Sequence, residues 1–339
     1  MFDSAFRTLF LSNPARLSLK SNNLRIGLMG ESCLDSQTAP KHKESYKSDK
    51  KDEITIPLSD ILCIIIESRQ ITLSSSLLNA FAQHKILVFI CDDAHLPSGI
   101  FTPFLGHYRS LSVLESQISL SKQKKAILWQ QIIKAKIANQ AALLAMLHRD
   151  EAELLEILAK NVQLMDSGHL ESQAARIYFR ALFGKGFVRN ADMSPESSVI
   201  NAALNYGYAI VRGMIVRSLC ASGLNPALGI FHKNQFNPFN LADDVIEPYR
   251  VFIDSLVVKM LESNNLHESL RLENRVVLAE ILSTQILLQG KLYPLSRAVI
   301  ASVQSLSQSI ESGRSKLQLP IFQENQSNGR EVYESACDV

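Results

Sequence analysis

Residues able to hold a cation gather between Gly223 and Asp254, in the run GLNPALGIFHKNQFNPFNLADDVIEPYRVFID. His232 lies in its first half, where Pro226, Gly229, Pro238 and four asparagines break any repeating hydrogen-bond ladder and predict a long loop. From about Leu241 the pattern turns helical. Asp243, Asp244 and Glu247 crowd the first turns of that helix, where the unpaired amides of a helix N-terminus favour carboxylates. Asp244 and Glu247 share a face that continues into Val251 and so points inward. Pro248 has no N–H to offer the carbonyl of Asp244 and kinks the helix at the acidic turn. A neutral imidazole nitrogen facing two carboxylates suits a divalent cation. On this stretch alone a second reading stays open, in which Asp243 and Asp244 cap the helix and His232 is an ordinary loop histidine.

Another carboxylate stands out in LESQAARIYFRALFG. Glu171 shares a helix face with Ala174, Ala175 and Tyr178, the small-residue face that a close helix contact would cover. An unpaired buried carboxylate is costly, so Glu171 is expected to meet either a metal or a basic side chain such as an arginine. If Glu171, His232 and Glu247 converge with Asp244 beside them, two carboxylates and an imidazole leave positions open for water and phosphate oxygens. Such a set fits Mg²⁺ or Mn²⁺ better than structural zinc, and its natural substrate is a phosphodiester. Arg176, Arg180, Lys233, Arg250 and the lysines of SKQKKAILWQQIIKAK (Lys122, Lys124, Lys125, Lys134 and Lys136) could hold the flanking DNA backbone. Most such residues in proteins are ordinary solvated surface.

The elements that must position these groups fall into two halves, giving an α+β fold class. FRTLFLS, ARLSLK, NLRIGL, EITIPL, DILCIIIES and KILVFICD are short strand-like runs parted by turn signals, with one serine-capped helix at 74–85. They predict a small β-rich domain over residues 1–95. The proline- and glycine-punctuated segment 96–109 is expected to be a linker. From 110 to 312 apolar residues recur at three- and four-residue spacing, predicting an all-α domain of roughly seven to nine helices. The tail, 313–339, is expected to be loosely held. A polar excursion at 31–52 interrupts the strands.

With 339 residues, 46% of them hydrophobic, the chain can bury a sizeable core. No apolar run approaches the ~18 residues that a bilayer span needs, and the first residues lack a secretory layout, so a cytoplasmic protein without a membrane partner is expected. Its five cysteines form no CxxC pair and read as reduced thiols. A net charge of +2 leaves room for a local basic stripe. The apolar run ILCIII wants cover, so dimerisation through the β-rich half is expected.

The run ALGIFHKNQFNPFNLADDVIEPYRVFID, the block LESQAARIYFRALFG, the segment CDDAHLPSG and the helix LWQQIIKAKIANQ together resemble, in order, the CRISPR-associated integrase family. These are the spacer-acquisition proteins of prokaryotic adaptive antiviral immunity, and the wording is closest to the branch found with a single large effector nuclease. The resemblance implies a metal-dependent endonuclease and integrase with an N-terminal β domain and a C-terminal helical domain. It implies Mg²⁺ or Mn²⁺ held by Glu171, His232 and Glu247. It further implies a homodimer, two copies of which flank a dimer of a small ferredoxin-like partner in a heterohexamer. That complex would carry a short DNA duplex whose 3′-hydroxyls attack the repeat ends of a CRISPR array, without a covalent protein intermediate. Phe231 departs from the pattern, standing where many relatives carry a second histidine. The leading alternative is a DNA-binding scaffold of the same fold that has lost turnover, and a third reading is a purely structural helical protein with an incidental acidic cluster.

Overall fold

In the computed structural model, residues 5–28, 53–103, 107–189, 195–266, 269–312 and 316–323 are described. The polar excursion at 31–52 lies outside them. Alternating apolar residues produce the expected strands: β1 (Arg7–Leu11), β2 (Ala15–Lys20), β3 (Asn23–Leu28), β4 (Glu53–Pro57), β5 (Ile61–Ile66) and β7 (Leu87–Cys91), with a short β6 (Ile71–Leu73) between them. Ser21 and Asn22, both left-handed, make the tight turn that pairs β2 with β3 antiparallel. Ser74 caps helix α1 (Ser75–Gln83), its side chain accepting the N–H of Leu77 at 3.3 Å.

Two four-stranded sheets result, ordered β4-β3-β2-β6 and β1-β5-β7-β8. The last strand, β8 (Pro97–Phe101), pairs antiparallel with β7. The first part of the segment expected to be a linker is therefore an edge strand, a position that tolerates the proline at its start. β5, the ILCIII run, lies between β1 and β7 and is parallel to both. Its residues divide between two cores, one inside the β half and one shared with the helices. A continuous apolar run is what a strand covered on both faces requires. The cover that this run wanted comes from its own chain.

Helices fill the rest: α2 (Ser110–Ile118), α3 (Lys122–Met146), α4 (Ala152–Asn161), α5 (Leu170–Phe183), α6 (Pro195–Ala221), α7 (Asn240–Ile246), α8 (Arg250–Glu262), α9 (Leu272–Ala279) and α10 (Leu295–Ser312). Within α6 the stretch Ser198–Ala221 is long and apolar enough to cross a membrane by length and composition, contrary to expectation, but 78% of its most apolar 18 residues are buried inside the protein. It is the core helix. Gly213 lets α6 approach the sheet, since a Cβ there would lie 2.2 Å from the ring of Phe89 on β7. At the end of β5, Glu67 forms a buried ion pair with Arg275 of α9, with Nη2 3.0 Å from Oε2.

Two further expectations need correction. The stretch 110–312 is not all-α: within LENRVVLAEILSTQILL, α9 ends in a 3₁₀ turn and Gln285–Leu288 (β9) pairs with Lys291–Pro294 (β10). The left-handed pair Gln289 and Gly290 makes the hairpin turn between them. The tail is not loose over its described part, residues 316–323. Leu317 and Phe322 are buried, the Ile321 N–H donates to the carbonyl of Leu287, and Asn139 of α3 bonds both Pro320 and Phe322.

Candidate active site

The loop that carries His232 is built around side chains in place of a ladder. Asn240, the first residue of α7, donates through Nδ2 to the carbonyls of Ala227, Asn234 and Asn237 at 3.2, 2.9 and 3.1 Å, and its Oδ1 accepts the N–H of Asn234 at 3.1 Å. Asp244, one turn further on and fully buried, accepts the N–H groups of Ile230, Phe231 and His232 at 2.5, 3.1 and 3.1 Å. Its Oδ1 also lies 2.7 Å from His232 Nδ1. A carboxylate can only accept, so Nδ1 carries a proton and Nε2 of the neutral ring keeps its lone pair. The hydrogen bond to Asp244 raises the His232 pKa above its ordinary value, against the effect of burial. Gly229 is required by the fold of the loop, since a Cβ there would sit 2.2 Å from the carbonyl oxygen of His232. Phe231 stacks flat on Trp129 of α3, ring centroids 4.3 Å apart and planes 2° from parallel.

Glu247 stands where the chain passes from α7 to α8 through a 3₁₀ turn, Glu247–Tyr249, the interruption that Pro248 predicts. It is 4% exposed. Its Oε1 accepts from Arg250 Nε at 3.0 Å, and its Oε2 lies 2.5 Å from Lys136 Nζ. Burial alone would raise its carboxyl, but Arg250 and Lys136 outweigh burial and hold it at about 2. Glu171, in the first turn of α5, lies 2.6 Å from the same Lys136 Nζ. The start of α5 is fixed by Asp166, whose two oxygens accept the N–H groups of Leu170 and Glu171 at 2.9 and 3.0 Å. Glu171 and Glu247 thus meet around one cation. Glu247 also acts electrostatically on His232, and the aspartate that holds this ring, Asp244, is on the helix that leads into Glu247. Glu171 does meet a basic group, but that group is a lysine, not an arginine.

Behind the site, Asp254 of α8 accepts from Tyr178 of α5 at 2.8 Å and from Tyr208 of α6. Burial pushes its carboxyl up to about 6 against those hydrogen bonds. The Arg250 guanidinium lies 4.6 Å over the Tyr208 ring.

The basic residues divide. Arg176, Arg180, Lys233 and Lys122 are exposed, and Lys124, Lys125 and Lys134 are half-buried. Lys136 and Arg250 do not belong to an open stripe, because both are turned inward onto Glu247. A signal for Lys136 was present: it sits between Ile133 and Ile137, both fully buried, on the inner face of α3. Asp166, Asn139, Trp129 and Asp254 had no motif to mark them. Among the described residues no three histidine, cysteine, aspartate or glutamate side chains form a ready cage for a metal, and the glutamate pair is closed on Lys136. The donor set nonetheless fits a cation: two carboxylates already share one positive charge, and an imidazole nitrogen is left free by Asp244.

A two-sheet β half packed on a helical half is an architecture found in solved proteins. A casposase bound to integration product shares it with a TM-score of 0.72 at 19% identity, over 92% of each chain. A Cas6-RT-Cas1–Cas2 complex chain shares it with a TM-score of 0.66 at 18% identity, over 93% of this chain and 36% of that one. These likenesses define the class as the Cas1 and casposase fold. The chain belongs to the Cas1 family: the family model "CRISPR associated protein Cas1" matches residues 40–287. It is 36% identical to the CRISPR-associated endonuclease Cas1 of Neisseria meningitidis serogroup C (strain 8013), over 93% of this chain and 96% of that protein.

Proposed function

We propose that the chain is a DNA endonuclease and integrase of CRISPR spacer acquisition, joining the 3′-hydroxyls of a short duplex to the repeat-end phosphodiesters of an array. One observation carries this reading: Glu171 of α5 and Glu247 of the turn before α8 share one cation, the Lys136 ammonium; His232, whose free nitrogen is set by the buried Asp244, would complete the set. Glu171, Glu247 and His232 through Nε2 would hold Mg²⁺ or Mn²⁺. When bound, such an ion polarises the scissile phosphorus and stabilises charge on the phosphoryl oxygens. Asp244 serves as the positioning residue for His232, since its oxygens are already taken by the loop. Arg250 keeps Glu247 ionised and aligned. Exposed Arg176, Arg180, Lys233 and Lys122 would grip the phosphates, with Lys124, Lys125 and Lys134 on the flank. The attacking group is the DNA hydroxyl, so no protein nucleophile is needed.

The Neisseria relative is named an endonuclease and one solved neighbour is a complex with Cas2. The second supports a Cas2-type partner; the assembly proposed is cytoplasmic, with dimers of this chain flanking a dimer of that small ferredoxin-like protein. The homodimer would form through the β half, where Leu19 and Leu28 are exposed. The test is nicking of branched DNA with Mn²⁺ present. The Glu171→Ala variant is expected to lose activity by about 100-fold or more, the scale of removing a main electrostatic contribution to catalysis. Equal activity in parent and variant would remove the assignment.

A further inference from the structure

The metal chemistry proposed above gives Lys136 no task, yet its ammonium occupies the centre of the site. Its side chain is 8% exposed, and lysine is among the residues least often buried unless paired. Helix α3 presents it on its apolar inner face, and the charge is placed 2.6 Å from Glu171 and 2.5 Å from Glu247. Burial works against that charge, and the two glutamates outweigh it. With Arg250 on the other oxygen of Glu247, two acids face two bases.

A buried carboxylate, Glu247, facing a half-buried one, Glu171, without enough counter-charge would be destabilising. The chain therefore needs a cation at this point whether or not a metal is present. A divalent ion seated between the same two oxygens would find the ammonium in its way and be repelled by it. If the ammonium were displaced, the site would hold a surplus of positive charge, which favours a phosphate nearby.

We propose that Lys136 is a built-in counter-cation, the alternative occupant of the Glu171–Glu247 pair: it holds the two acids together in the metal-free protein, is displaced when a divalent ion binds, and then contacts a DNA phosphate. This rests on the metal reading of Glu171 and Glu247. It makes metal uptake and DNA binding mutually reinforcing, since each favours the displaced position of one side chain.

Binding of Mn²⁺ to the full chain without DNA, followed by the paramagnetic resonance of free Mn²⁺, tests the proposal. Lys136→Met and Lys136→Gln are expected to bind Mn²⁺ about tenfold more tightly than the parent, within the range typical of coupled sites. Lys136→Arg, which keeps the charge, should stay nearer the parent. Without metal the two neutral variants should melt below the parent, and Mn²⁺ should raise their melting temperature by more than it raises the parent's. Mn²⁺ should strengthen duplex binding more in the parent than in Lys136→Met. Unchanged or weaker Mn²⁺ affinity in Lys136→Met and Lys136→Gln overturns the counter-cation role while leaving the metal site standing, as does failure of Mn²⁺ to restore a variant that melts early. Absence of Mn²⁺ uptake by parent and variants alike overturns the metal site itself.

Discussion

Asp254 is the carboxylate whose environment differs most from that of Glu247, although α8 carries it only one turn beyond Arg250. Glu247 is held at about 2 by Arg250 and Lys136, whereas burial between Tyr178 and Tyr208 lifts Asp254 to about 6. A carboxyl whose folded pKa exceeds its unfolded value of about 4 binds more protons in the folded state, so its contribution to stability falls as pH rises through that window. The stability difference between Asp254→Asn and the parent is expected to shift in favour of the variant between pH about 4 and about 6. Denaturant melts at a series of pH values measure it, and a flat difference would contradict the assignment. The need of Glu171 for a counter-charge was legible in the sequence. Imidazole and carboxylates signal a cation site by type, and Glu171 betrayed itself by sharing a face with Ala174 and Tyr178, both fully buried. Lys136 was hidden because a run of lysines on a helix reads as a solvated face, and only its flanking isoleucines argue otherwise.

At the scale of elements, the His232 loop shows what replaces a ladder when prolines and glycines forbid one. Asn240, at the start of α7, and Asp244, one turn along it, collect the backbone groups of residues 227–237. Loop and helix are therefore one rigid piece. Gly229 is where the packing is tightest, because the nearest atom to a new Cβ is backbone, the His232 carbonyl, which cannot turn aside. Gly229→Ala is expected to shift His232 and lower strand-transfer activity by at least about tenfold, since small misplacements near reacting groups are costly. Mn²⁺ affinity should fall with it. Activity within twofold of the parent would mean that the loop gives way without consequence. The loop's existence was readable from its proline, glycine and asparagine content, but the wiring was not, because asparagines that bond distant carbonyls look like any turn residues. The β9–β10 hairpin was misread for a related reason. QILL continues the three- and four-residue spacing of α9, and only the Gln289–Gly290 turn marks the change.

Across the whole molecule, the two halves foreseen from composition are not independent bodies. The larger core joins Cys63, Leu87 and Phe89 of the β half to α3, α6 and α8, and the Glu67–Arg275 pair crosses the same boundary. Such long-range union is invisible to any local pattern, since β5 reads as an apolar run whatever covers it. The segment 316–323 was misjudged likewise, because it has no periodicity and gains its order from others. Leu317 and Phe322 are buried, and burying side chains of that size stabilises by about 1.5–3 kcal/mol each. A chain ended after residue 315 is expected to lose about 3–6 kcal/mol, read from the denaturant midpoint. An unchanged midpoint would mean that this segment merely rests on the surface.

Asn139 binds the carbonyl of Pro248 at 2.9 Å with the same amide nitrogen that holds Pro320, and its oxygen takes the N–H of Phe322. The segment 316–323 is thereby buckled to the peptide next to Glu247, from behind. Clipping or tugging that stretch, by a protease or by a rigid reporter fused close after it, would be felt first at the acids and only afterwards in the fold as a whole.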